Sequence, residues 1–200
     1  NVRPNAHDDF DFRITRLSAL FHDVGKPKTR SVKQGKGVSF HHHEVVGARM
    51  TRDRLRELKY PTEDVEAITE LVALHLRFHT YQMGWTDSAV RRYVRDAGEL
   101  LNELNVLTRC DCTTRNEKKA RLLSERMDDL ENRIAELAGK EELAALRPEM
   151  DGVQVMEFLG MRPGREVGEA LDFLMEIRLE EGLVGDQEIR ERLKAWWTNR

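Results

Sequence analysis

Apolar residues recur at intervals of three and four along most of this chain, a spacing typical of helices with one buried face. The first such stretch runs from Phe12 to Val24, and Asp11 or Thr15 stands near its start as a residue able to cap a helix. The same period predicts further helices over residues 41–58, 62–75, 86–98, 99–112, 115–138, 166–181 and 186–197, with a short one through 155 and 158.

The stretch from residue 25 to residue 39 lacks this period and is rich in lysine and glycine. It predicts an extended loop or a small β-hairpin, in which residues 31–32 and 38–40 flank a glycine-containing turn. Gly25 is expected to close the first helix in the left-handed conformation, and Pro27 is expected to stop the helix there. Together these elements predict an all-α fold, a helical bundle with a small hairpin or loop, followed by a helical tail.

The helix predicted over residues 115–138 is long and heavily charged. Its apolar positions form a narrow stripe, which is more typical of a two-helix or coiled seam than of a core helix. Gly139 and the pair Arg147–Pro148 then interrupt the pattern. We therefore expect one domain over residues 1–140 and a helical tail over residues 141–200.

The composition, 40% hydrophobic and 34% charged over 200 residues, is ordinary for a helical protein, and no apolar run approaches the ~20 residues that cross a bilayer. Cys110 and Cys112 lie too close together for an ordinary disulfide, which favours a reduced, cytoplasmic protein. The net charge of −3 gives no global attraction for nucleic acid, so an RNA contact needs a local basic patch. Because the chain starts with Asn1 and carries no signal peptide, we expect it to be an internal part of a longer protein.

Polar residues inside apolar helical patterns are the first sign of chemistry. His22 and Asp23 stand side by side at the end of the first predicted helix, and imidazole with carboxylate is a common ligand pair for divalent cations. A hydrogen-bonded pair at a helix end is the simpler reading of His22 and Asp23 alone. Further candidates in similar patterns lie downstream: His41, His42, His43, Glu44, His75, His79 and Asp111.

Three segments in order carry a family resemblance. Residues 19–26, with His22-Asp23 followed by Val24-Gly25-Lys26, resemble the HD-domain metal phosphohydrolases. Residues 40–48 and 109–116 are similar, more narrowly, to the HD region of bacterial CCA-adding enzymes, in the CCA tRNA nucleotidyltransferase and poly(A) polymerase family. Residues 160–168 are similar to the C-terminal tail of the same family.

The resemblance implies a divalent metal, Mg²⁺, Mn²⁺ or Ni²⁺, held by His22, Asp23 and Asp111, with His43 as a further ligand. His75 is either another ligand, a group that stabilises charge on a phosphate, or a satisfied interior histidine. Lys26 either contacts a phosphate or satisfies the end of the helix before it. The family pattern also has a His on a preceding helix; since His7 is too close to His22, we expect that ligand to lie upstream.

The resemblance also implies RNA contacts. Arg115, Lys118 and Lys119 open the long helix after Asp111, although a solvated helix face explains such a run as well. A turn before a later helix exposes backbone N–H groups that can bind a phosphate. The residues of that turn are Arg162, Gly164 and Arg165.

For the longer protein, the resemblance implies ATP- and CTP-dependent repair of the tRNA 3′ end. Nucleotides would bind an N-terminal catalytic head that this sequence does not contain. The HD part itself is expected to hydrolyse 2′,3′-cyclic or terminal phosphates, as some family members do. Two alternatives stay open: a free-standing HD nucleotide phosphohydrolase, and a catalytically silent helical module that holds RNA or a partner.

Overall fold

The structure is a computed structural model and describes residues 11–33, 37–80, 85–111, 116–141, 143 and 146–200. Its elements in chain order are α1 (Phe12–Phe21), α2 (Lys26–Thr29), β1 (Ser31–Lys33), β2 (Gly37–Ser39), α3 (His43–Glu57), α4 (Thr62–Leu74), α5 (Asp87–Ala97), α6 (Leu101–Asp111), α7 (Glu117–Ala138), α8 (Gly152–Leu159), α9 (Arg165–Glu181) and α10 (Asp186–Thr198). Short 3₁₀ helices cover Arg77–Thr80 and Gly98–Leu100. The predicted all-α fold is confirmed.

The predicted hairpin is confirmed as well. Strands β1 and β2 pair antiparallel, with Val32 opposite Val38. The loop predicted from residue 25 onward is wrong at its start, because Lys26–Thr29 forms the short helix α2. Pro27 lies in the first turn of α2, where the missing N–H of proline costs no hydrogen bond.

Residue contacts divide the chain into two compact units, residues 1–84 with 96–132, and residues 85–95 with 133–200. In the first unit α4 packs against α1, α3 and α6, and α2 packs against α3. The core of this unit consists of apolar side chains from these helices, and its most buried members are Leu55, Ile68, Leu71, Val72, Leu104 and Leu107. The boundary predicted near residue 140 stays a prediction.

The long helix α7 differs from the seam predicted for it. Met127, Leu130 and Leu137 are almost completely buried, whereas Leu122 is exposed. The middle and the end of α7 therefore contribute to a core, whereas Leu122 near its start does not.

In the second unit α9 packs against α8 and α10. The core of the unit is apolar and consists of Met150, Val155, Val167, Ala170, Leu174, Ile177, Ile189 and Leu193. Asp151 begins α8 with a reciprocal capping box, in which its carboxylate accepts the N–H of Gln154 and the Gln154 side chain accepts the N–H of Asp151. In the described part of the chain, no helix combines the length and the apolar character that a bilayer span requires.

Asp11 caps α1, as one of the two predicted candidates. Its carboxylate accepts hydrogen bonds from the backbone N–H groups of Arg13 and Ile14 at 2.8 and 3.1 Å. We expect Asp11→Ala to lower the free energy of unfolding by about 1 kcal/mol, because these two N–H groups lose their protein partner. Urea unfolding checks this, and Asp11→Asn, which keeps an acceptor oxygen, should recover most of the loss. Equal stability of Asp11→Ala and the native chain would contradict the cap.

Candidate metal centre

The candidate ligands all lie at or beside the ends of helices in the first unit. His22 follows the last residue of α1, His75 follows the last residue of α4, and Asp111 is the last residue of α6. The carbonyl ends of three helices thus reach the same place, where their partial negative charges favour a cation. His43 is the first residue of α3, and Asp23 lies in the turn after His22.

The structure brings the five predicted side chains into one group. The His22 Nε2 atom is 3.1 Å from Asp111 Oδ1 and 3.3 Å from Asp23 Oδ2. The other oxygen of Asp23 is 3.4 Å from the Nε2 atom of His43, which in turn is 3.3 Å from His75 Nε2. Asp23, His43 and His75 each offer one ligand atom, and these three atoms lie within 4.8 Å of one another.

Local backbone carbonyls fix the orientation of all three imidazoles. The Nδ1 atoms of His22, His43 and His75 lie 2.8, 2.8 and 2.6 Å from the carbonyl oxygens of residues 19, 40 and 72, each three positions earlier in the chain. A carbonyl can only accept a hydrogen bond, so each Nδ1 carries the proton. In the neutral form of both rings, His43 and His75 would therefore direct unprotonated Nε2 atoms at each other across 3.3 Å. Two facing lone pairs at this distance need a proton or a cation between them.

Neighbouring charges and burial shift the pKa values in the group. A hydrogen bond with the Asp111 carboxylate raises the pKa of His22, and the same bond lowers the pKa of Asp111. Burial lowers the pKa of His75, whose side chain is almost inaccessible to solvent. His75 is therefore neutral at pH 7, which is the form that binds metal ions.

A close backbone contact sets the distance between the turn carrying Asp23 and helix α3. Gly25 has a right-handed conformation (φ −77°), so the predicted left-handed helix closure is wrong. A Cβ atom on Gly25 would lie only 2.2 Å from the carbonyl oxygen of His43 and 2.7 Å from the nitrogen of Gly47. Glycine is thus required at position 25 by the approach of α3, which the sequence around Gly25 does not reveal. Gly47, four residues after His43, is the signal that reasoning from the sequence missed.

The remaining predicted residues lie outside this group. Lys26 is half-exposed, and its Nζ atom forms an ion pair with Asp23 Oδ2 at 2.6 Å. Lys118 and Lys119 are exposed in the first turn of α7, and Arg115 lies outside the described residues. The other three RNA-contact residues, Arg162, Gly164 and Arg165, are exposed in the second unit at the start of α9.

His41 and His42 point to solvent, as expected of neighbours that are not ligands. His79, on the 3₁₀ helix after α4, is partly buried, and burial lowers its pKa. The charge of Asp111 acts against that shift, while the charges of Arg126 and Lys119 reinforce it. The pKa of His79 is thus influenced by Asp111 of the ligand group and by two cationic residues of α7.

Comparison with known proteins extends the resemblance. A family profile described as HD domain matches residues 4–142. The A-adding tRNA nucleotidyltransferase of Deinococcus radiodurans is 35% identical over 187 residues, which cover 92% of this chain and 42% of the relative. The CC-adding tRNA nucleotidyltransferase of Thermus thermophilus is 35% identical over 186 residues, which cover 91% of this chain and 39% of the relative.

The chain spans about two fifths of the length of these curated relatives. The similarity to tRNA nucleotidyltransferases covers more than nine tenths of the chain, so it includes the tail as well as the residues of the ligand group. The profile match covers well over half of the chain and contains all five grouped side chains. The chain therefore belongs to the HD domain family.

Proposed function

We propose that the first unit binds a divalent metal ion through His22, Asp23, His43, His75 and Asp111 and hydrolyses phosphoesters. The observation that carries this proposal is the pair of Nε2 atoms of His43 and His75, held 3.3 Å apart next to the Asp23 carboxylate. A bound cation relieves the repulsion between these lone pairs, and the five side chains match the chemistry of such a group. Carboxylates suit Mg²⁺ and Mn²⁺, whereas a set with three imidazoles shifts the preference toward Ni²⁺.

A metal held here would polarise a phosphoryl oxygen and lower the pKa of a bound water. The protein's own residues supply orientation and charge. The hydrogen bonds from the Nδ1 atoms to backbone carbonyls keep the imidazole Nε2 atoms directed at the centre, as hydrogen bonds to the outer nitrogen of a metal-binding histidine usually do. His75 is better suited to be a ligand than a separate catalytic group, because its Nε2 atom belongs to the group of ligand atoms.

Lys26 has a second role in this proposal. Its ammonium group contacts the same Asp23 oxygen that approaches His22. When Asp23 binds the cation, we expect the Lys26 side chain to turn its charge to a phosphate oxygen of the substrate and to stabilise the charge that develops there. Its half-exposed position leaves room for this movement.

We further propose that the chain is the HD and tail portion of a tRNA nucleotidyltransferase that acts on tRNA 3′ ends with ATP or CTP. Support comes from the similarity to the A-adding and CC-adding enzymes over more than nine tenths of the chain. In this proposal residues 1–140 form the HD domain and residues 141–200 the tail. RNA contacts come from Lys118 and Lys119, and from the turn of Arg162 and Gly164.

Arg165 is a weaker candidate for RNA contact than Arg162. Its guanidinium already forms an ion pair with Glu169, one turn further along α9. Such an exposed pair contributes little to stability and can open for a phosphate. The start of α9 also presents backbone N–H groups next to Gly164, and a helix start of this kind favours anions.

Hydrolysis of 2′,3′-cyclic AMP by the 200-residue chain tests the phosphohydrolase proposal. We expect no activity after EDTA treatment and restored activity with Mn²⁺, Ni²⁺ or Mg²⁺. His43→Gln should remove this activity, while His41→Gln, a change at an exposed neighbouring histidine, should keep it. Background rates with every metal, together with retained tRNA binding, would support the silent helical module instead.

Metal binding should also raise the stability of the chain. At a free metal concentration 100 times the Kd, we expect about 2.7 kcal/mol of stabilisation and an unfolding midpoint raised by several degrees. Thermal unfolding with and without Mn²⁺ or Ni²⁺ measures this shift. His41→Gln should show the full shift and His43→Gln almost none; equal shifts in both variants would place the metal elsewhere.

A further inference from the structure

His42 has a backbone conformation that residues with a side chain rarely adopt. Its φ and ψ angles are 60° and 25°, in the left-handed region. A Cβ atom crowds the following carbonyl oxygen in this region, so glycine is the usual residue there. Among the described residues, Lys59 (φ 58°) is the other case that is not glycine. His42 lies directly before the candidate ligand His43, the first residue of α3.

The conformation of His42 forms a tight turn over residues 40–43. The backbone N–H of His43 donates a hydrogen bond to the carbonyl oxygen of Phe40 at 3.3 Å. A positive φ at the third residue of such a turn is the requirement of type II, in which glycine or asparagine normally occupies that position. The chain thereby passes from strand β2 to helix α3 within four residues.

The same turn orients the imidazole of His43. The Phe40 carbonyl oxygen that accepts the backbone N–H also lies 2.8 Å from the Nδ1 atom of the His43 ring. One carbonyl thus fixes both the backbone and the ring of this residue. The opposite ring nitrogen, Nε2, then lies 3.4 Å from an oxygen of Asp23 and 3.3 Å from Nε2 of His75. If residue 42 left the left-handed region, the chain direction after Phe40 would change, and the hydrogen bond to the His43 ring would be lost.

The side chain of His42 does not hold this turn. It is 83% exposed, and its Nδ1 atom lies 3.8 Å from an oxygen of Glu44, which is too far for a hydrogen bond. An exposed pair at this distance contributes little, because water screens the charges. What residue 42 supplies to the turn is therefore its backbone conformation.

We propose that residue 42 is a positioning residue of the metal centre, which acts through His43. Its left-handed conformation sets the turn whose carbonyl directs the Nε2 atom of His43 to the cation. Strained backbone of this kind persists where the surrounding structure enforces it, and it is common at active sites. The inference rests on the proposed metal-dependent function and names a residue that serves the site without binding the metal.

The test compares substitutions of His42 with the same substitutions of Lys59. Lys59 has nearly the same φ and is also exposed, but it lies at the other end of α3, after Glu57. Glycine adopts the left-handed region freely, asparagine tolerates it, and valine does not. The variants are therefore His42→Gly, His42→Asn and His42→Val, with Lys59→Gly, Lys59→Asn and Lys59→Val as matched controls. Isothermal titration with Mn²⁺ or Ni²⁺ measures the metal affinity, and urea unfolding measures the stability.

We expect His42→Val to weaken metal binding by at least about tenfold, the lower end of the loss caused by removing a hydrogen-bond partner of a metal-binding histidine. His42→Gly and His42→Asn should keep the native affinity, because both residues adopt the left-handed region. Lys59→Val should lower the stability as much as His42→Val does, and it should leave the metal affinity unchanged.

A metal affinity in His42→Val equal to that in Lys59→Val would overturn the inference. An equal loss of affinity in His42→Gly and His42→Val would also overturn it, because the imidazole and not the backbone would then be responsible. If His42→Val unfolds, His42→Ala takes its place, since alanine is less strained than a β-branched residue in the left-handed region.

Nuclear magnetic resonance of the metal-free chain separates this inference from the proposed function. A long-range proton–nitrogen spectrum reports which ring nitrogen of His43 carries the proton, and His43→Gln identifies its signals. We expect the Nδ1–H form in the native chain, in His42→Gly and in Lys59→Val, and a mixture of both forms in His42→Val. A native chain that binds no metal but gives this pattern would reject the proposed function and keep the role of residue 42 in orienting His43. An unchanged Nδ1–H form in His42→Val would overturn that role.

Discussion

Replacing Asp23 by asparagine is expected to abolish metal binding and metal-dependent hydrolysis. Asp23 is the residue that joins the group together, since one of its oxygens is 3.3 Å from His22 and the other 3.4 Å from His43. An amide keeps the size of the side chain but loses the negative charge and one acceptor oxygen. Because Asp23 is a direct ligand in the proposed site, the loss in metal affinity should exceed the roughly 100-fold that a change in a ligand's hydrogen-bond partner costs.

Isothermal titration with Mn²⁺ or Ni²⁺ measures the affinity, and hydrolysis of 2′,3′-cyclic AMP measures the rate. Asp129→Asn, at an exposed position of α7, is the matched control and should behave like the native chain. The circular dichroism spectrum of Asp23→Asn should stay native, because His22 keeps its hydrogen bond with Asp111. Native metal affinity in Asp23→Asn would mean that the cation binds elsewhere.

The second large effect is expected from Gly25→Ala. The added Cβ atom would lie 2.2 Å from the His43 carbonyl oxygen and 2.7 Å from the Gly47 nitrogen, and both are backbone atoms that no side-chain rotation can move. The clash can therefore be relieved only if α3 shifts away from the turn that carries Asp23. We expect a loss of at least about 3 kcal/mol in the free energy of unfolding, at the upper end of the cost of overpacking.

A graded series separates this effect from an ordinary change in helix propensity. At Gly47 an added Cβ atom would come only to 3.3 Å from the Gly25 nitrogen, so Gly47→Ala should cost clearly less than Gly25→Ala. Gly168 in α9 has open space around it, and Gly168→Ala should be neutral or stabilising by up to about 1 kcal/mol. Urea unfolding ranks the three variants. Equal losses of stability in Gly25→Ala and Gly47→Ala would contradict the close approach of α3.

Helix periods predicted most of this fold, because burial of one apolar face decides where helices form. The same reasoning identified the candidate ligands as polar residues inside apolar helical patterns, with His22 and His75 as examples. Their assembly was predictable only through the family resemblance. Local sequence does not show which helix ends meet.

The errors have a related origin. Gly25 was predicted to close the first helix because glycine is common at helix ends. Glycine is instead required there because α3, from a later part of the sequence, approaches this residue closely. Residues 25–39 were expected to form an extended loop or a hairpin, yet the first turn of a helix accepts proline, and Lys26–Thr29 forms α2.

The carbonyl bonds to the three Nδ1 atoms have a consequence for the kinetics of metal exchange. Each ring is oriented by a residue only three positions earlier in its own segment, so the orientation does not depend on a bound ion. If the proposed metal binds here, its loss is expected to require no rearrangement of the backbone. The proposed site should then exchange its metal with the surrounding pool while the protein stays folded, so that the metal bound there follows the supply.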